Sequence, residues 1–145
     1  MGSIAKVTNL WRSLDVEQEA VNTILDTKED LIDLNQSQLL EGKNKLGQKL
    51  KTYRSWSYAK MKNTRNPLPG FGIPDLFNKG SFFAGFKIRF LSKKSFEFYS
   101  TDSKNSMLEK KYGKEIFGLQ DESREEYLRR NFKPVFFDRL NKKLS

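Results

Sequence analysis

Between Lys49 and Lys62 the chain reads KLKTYRSWSYAKMK, placing Tyr53, Trp56 and Tyr58 among closely spaced cations. Flat rings alternating with positive charge can stack bases while the cations hold phosphates. The same alternation suits an extended arm or hairpin lying across another subunit, and both uses stay open. The cations concerned are Lys43, Lys45, Lys49, Lys51, Arg54, Lys60, Lys62 and Arg65, with no Asp or Glu between residues 43 and 74. A second cluster, Glu29, Asp30 and Asp33, has carboxylates close enough to suggest a cation site, but charge runs of this kind are usually a solvated helix face. Asp102 and Glu97 are the only acid–base candidates near the expected sheet, and capping or surface roles account for both.

Composition removes most other chemistry. The 145 residues contain no Cys and no His, which excludes disulfides, thiol nucleophiles, Cys/His zinc sites and imidazole acid–base catalysis. Nothing marks a cleft of catalytic residues, so the expectation is a protein that is not an enzyme and uses no cofactor or metal. No apolar run approaches a membrane span. Residues 1–14 carry Lys6 and Arg12 without the apolar stretch of a secretory signal, so a soluble product made in the cytoplasm is expected.

Charge is strongly segregated. Residues 1–42 carry net −5, residues 43–74 net +8 and residues 75–145 net +6, within a total of +9. The twelve Phe begin only at Phe71. A core in the second half is therefore expected, with a helical arm (1–42) that projects or packs on a partner. The remainder (43–145) is expected as a single α+β domain of ordinary size, including a basic arm (43–66) and a Pro/Gly connector (66–74).

The elements that must position these residues follow from pattern. Ile4, Val7, Leu10, Trp11 and Leu14 fit a short amphipathic helix, with Trp11 an anchor on a partner or on its own domain. Asp15 resembles an N-cap, followed by a long helix from about Val16 to Leu40 that ends at Gly42. Asn66–Pro74 admits neither helix nor central strand. Phe82–Leu91 and Lys94–Thr101 read as a hairpin turning near Ser92-Lys93, with a Phe-rich face and a polar one. A short helix over Asn105–Tyr112, stopped by Gly113, precedes a last helix from Asp121 to Leu144. Pro134 predicts a kink or break in it near Asn131–Lys133.

Three strings sharpen this order: residues 35–62, DLFNKGSFFAGFKIRF at residues 75–90, and STDSKNSMLEKKYGKEIFGL at residues 100–119. They resemble the tail-completion, or virion-morphogenesis, proteins of tailed bacteriophages, particularly those of phages from gut Bacteroidetes. In that group a D-L-x-x-T-G-x-F/L turn precedes the sheet, matched here by Asp75, Leu76, Gly80 and Phe82. Asn78-Lys79 departs from it, with Lys79 where Thr is usual. A Y-G-x-x-I-F-G-L string is matched by Tyr112, Gly113, Ile116, Phe117, Gly118 and Leu119. The resemblance spans Asn35 to the C-terminus and rests on structural turns.

It implies a non-enzymatic virion protein of the neck or tail, a ring-forming homo-oligomer joining the portal or connector to the tail. Complementary charge suits a ring in which Glu17–Asp33 of one subunit meets Lys43–Arg65 of the next or of a neighbouring virion protein. Contact of the same cations with packaged DNA is the competing use. A small basic nucleic-acid-binding protein, consistent with pI ≈ 9.7, is the alternative reading.

Overall fold

A computed structural model describes residues 15–144; Trp11 and the helix expected over Ile4–Leu14 lie outside them. Asp15 caps the first helix, α1 (Val16–Asp26), its carboxylate accepting from the Gln18 backbone N–H at 3.0 Å. The long helix expected to run on to Leu40 is instead two. α1 stops at Thr27, and α2 (Lys28–Leu40) begins immediately after it. The cause is local: Thr23 and Thr27 donate their hydroxyls back to the carbonyls of Glu19 and Thr23, at 2.7 and 2.8 Å. Such back-bonding loosens and bends a helix.

Residues 43–55 are the part of the expected basic arm that remains without helix. They do not project. The Leu50 N–H donates to Gly42 O and the Tyr53 N–H to Gly72 O, both at 2.8 Å, which stitches the segment to the helix end and to the Pro/Gly connector. The rest of the arm is helix α3 (Trp56–Arg65), a departure from the extended arm expected there. Its N-cap signal stands in the sequence: the Ser55 hydroxyl accepts from the Tyr58 N–H, and Lys62 and Arg65 fall in the last turn, where cations favour a helix end.

Phe82 and Phe83 belong to a single helical turn, α4 (Ser81–Ala84), and not to the first strand as the alternation suggested. The hairpin then follows as β1 (Phe86–Ser92) and β2 (Ser95–Ser100), antiparallel, with Ile88 opposite Phe98, Phe90 opposite Phe96, and Arg89 opposite Glu97 on the polar face. α5 (Asn105–Tyr112) ends at Gly113, and a 3-10 turn over Lys114–Ile116 leads to α6 (Asp121–Tyr127). The disturbance expected from Pro134 is a π-helical turn over Leu128–Phe132, after which α7 (Lys133–Leu144) continues. The wider turn accommodates the proline ring and its missing N–H without breaking the helix.

The fold is thus α+β, with a two-stranded antiparallel sheet and C-terminal helices. The core draws on both halves of the chain, contrary to the expectation from Phe placement. Leu31, Ile32 and Leu39 of α2 are buried with Phe82, Phe86, Phe98, Ile116 and Phe117. Each such side chain contributes roughly 1.5–3 kcal/mol of transfer free energy. α2 also hydrogen-bonds the link between the 3-10 turn and α6. Asn35, fully buried, donates to Ile116 O and accepts from the Gly118 N–H, both at 3.0 Å; Gln38 donates to Gly118 O at 3.0 Å and accepts from the Gln120 N–H at 2.7 Å. Two amide side chains thereby satisfy the backbone of the link from 116 to 120.

Candidate functional site

The eight cations singled out from sequence have different surroundings once folded. Lys49, Lys62 and Lys43 are engaged internally. The Lys49 ammonium donates to Glu41 O at 2.9 Å and Pro69 O at 2.8 Å, closing the basic loop onto the connector. Lys62 is buried against Asp75, 2.8 Å from its carboxylate, and also donates to Phe77 O. Lys43 pairs with Glu41 at 3.7 Å. Lys45 lies with its aliphatic stem against Gly118, where an added Cβ would sit 2.9 Å from Lys45 Cδ. Arg65 ends α3 beside a small recess near Leu68.

Lys51 and Arg54 have another position. They border a cleft of about 710 Å3 between the segment before α3, the turn before α4, and α5. Three cations that the sequence reading did not single out join them there: Lys79 from the turn, and Lys104 and Lys111 from the two ends of α5. All five are exposed, none forms an ion pair with a described carboxylate, and no Asp or Glu lines the cleft. Like charges gathered in a concavity raise its potential and concentrate anions there.

The wall between these cations is aromatic. Tyr53 and Tyr58 meet edge to face with centroids 4.9 Å apart, and Tyr112 lines the same cleft. Burial raises the phenol of Tyr53 well above its usual range, with the Asp75 carboxylate adding to the effect. Burial, seconded by Tyr58, raises that of Tyr112. Both phenols therefore hold their protons to higher pH than an ordinary tyrosine. Lys62 also reaches the lining of the cleft, its charge met by the buried Asp75, which accepts from the Phe77 N–H and from Asn66 Nδ2 as well, both at 3.0 Å.

Trp56 is separate from the tyrosines. It stays 66% exposed, with Phe71 of the connector 6.1 Å away and 50% exposed. The Lys60 ammonium lies 5.3 Å from the indole centroid. The expected structural turns fall where their glycines are needed: Gly80 precedes α4, Gly113 follows α5, and both have positive φ, as does Gly118 in the link.

The acidic arm is also partly engaged within the chain. Arg139 of α7 forks between Glu19 at 3.0 Å and Asp26 at 2.7 Å, and Lys93 of the hairpin turn pairs with Asp15 at 2.8 Å. Glu29, Asp30 and Asp33 remain on the exposed side of α2. Among the described residues no group of three His, Cys, Asp or Glu is placed to hold a metal ion, and no helix is long and apolar enough to cross a membrane.

A larger recess, about 930 Å3, lies between the hairpin, the 116–120 link and the π turn. It mixes Phe96, Phe98 and Tyr127 with Arg89, Glu97, Glu109 and Arg124, so it lacks the single sign of charge that marks the basic cleft. No family model, no curated protein and no solved structure matches this chain.

Proposed function

We propose that the protein is a non-enzymatic structural subunit of the head–tail interface or tail of a bacteriophage virion, one that assembles with copies of itself into a ring joining connector to tail. The observation that carries an assembly role is the exposed Trp56–Phe71 pair on α3 and the connector. Two large rings held beside each other in water are costly for an isolated protein and typical of an anchor that a partner buries. Leu68 of the same connector is also exposed. The virion assignment is supported by the resemblance of the strings at residues 75–90 and 100–119. Those strings supply Asp75, the α4 turn, most of β1 and the buried Ile116-Phe117 link, which belong to the framework of the fold.

The test is the mass and shape of the purified protein by light scattering and negative-stain imaging, at low and high salt, alone and with phage connector or tail extract. Rings, or a monomer that becomes a ring on adding those components, are the expected result. Trp56→Ala with Phe71→Ala should abolish assembly and leave the monomer folded. A persistent monomer that ignores connector and tail components overturns the proposal.

A further inference from the structure

We propose that the cleft bounded by Lys51, Arg54, Lys79, Lys104 and Lys111 binds a single-stranded nucleic acid, with phosphates on those cations and a base against Tyr58. The proposal is independent of the ring assembly above and would stand if that assembly failed.

Three features of the cleft lead to it. Its cations come from three separate parts of the chain, yet they converge on one concavity that no carboxylate lines. Internal ion pairs occupy Lys43, Lys62, Lys93 and Arg139, whereas these five have no such partner among the described residues. A ligand carrying one negative charge per repeating unit meets several of them at once, which a single anion does not.

The rings decide the form of that ligand. Tyr58 is 38% exposed and lines the cleft together with the five cations, its ring packed at right angles to that of Tyr53. Bases in a duplex are stacked on each other and offer no face to such a ring; unpaired bases do. Duplex DNA would gain only the charge contacts. An acidic peptide would satisfy the cations too but has no regular planar group to use the ring.

The experiment is fluorescence anisotropy of the full chain with a labelled oligothymidylate of about ten nucleotides, repeated with a duplex of equal length and with an oligoglutamate competitor. If all five cations neutralise phosphates, affinity for the single strand should fall about a hundredfold between about 50 and about 200 mM salt. Lys51→Glu, Arg54→Glu and Lys111→Glu together should remove binding. The same charge change at exposed Lys28, Lys87 and Lys133 should leave most of it, which separates the cleft from net charge. Tyr58→Ala should weaken the single strand roughly tenfold and leave the duplex unchanged. Circular dichroism checks that each variant is folded.

Equal affinity for single strand and duplex, with no effect of Tyr58→Ala, overturns the proposal in favour of charge alone. Oligoglutamate displacing the oligonucleotide at equal charge overturns it in favour of an acidic protein partner. No binding at low salt, or equal loss from the two sets of charge reversals, overturns it as well.

Discussion

The ammonium of Lys62 lies 2.8 Å from the carboxylate of Asp75, with the two side chains only 7% and 4% exposed. One belongs to α3 and the other to the turn before α4, so the pair ties the helix to the far wall of the cleft. Losing one partner of a buried pair leaves an uncompensated charge, at a cost of about 3–5 kcal/mol. Asp75→Ala should cost that much in denaturant unfolding. Lys62→Met combined with Asp75→Leu should cost clearly less than the sum of the single changes. Additive losses would show that the two residues act separately.

Asn35 is the second position where a polar side chain does structural work. Replacement by Ala orphans Ile116 O and the Gly118 N–H in the core, at about 1–3 kcal/mol for each group left unsatisfied. Asn35→Asp can still accept from Gly118 but cannot donate to Ile116, and it places a charge in the core. Both variants should therefore unfold at lower urea than the native chain. A loss within the range of an ordinary surface substitution, about 0.5 kcal/mol, would contradict the role given to Asn35.

Gly42 ends α2 at φ +74°, and an added Cβ would sit 2.6 Å from Ile73 Cγ2 and 2.7 Å from Pro69 Cβ. Gly42→Ala combines left-handed strain with a clash against the connector, together about 2–4 kcal/mol. Thermal unfolding should show a large drop in Tm. Gly72→Ala, also at positive φ but with open space around its Cβ position, should cost only the strain.

Tyr53 and Tyr112 give stability a pH dependence of known sign. Burial raises their folded pKa above the ordinary 10.0, so the folded chain keeps protons that the unfolded chain releases. Their contribution is complete below pH 10 and is lost as pH rises above it. The urea midpoint of the native chain should fall above pH 10 more steeply than that of a Tyr53→Phe, Tyr112→Phe variant. Parallel curves would remove the tyrosines as the cause.

Sequence by itself determined what depends on neighbours a few residues apart. Asp15 as a cap, the hairpin with Phe on one face, α5 stopped by Gly113 and a disturbance near Pro134 all follow from rules of that range. The cap at Ser55 was equally local, but the basic, aromatic run around it reads as an extended arm, and the helix there was missed.

Only the tertiary structure decided which charges are spent. Lys62 and Lys51 look alike in the sequence; one is buried against Asp75 and the other borders an open cleft, because their partners or neighbours come from turns thirteen to sixty residues away. Glu19 reads as a solvated helix residue until Arg139 arrives 120 positions later. Lys79, Lys104 and Lys111 have no local signal at all, since a concave site is made by convergence of segments and leaves no spacing in any one of them.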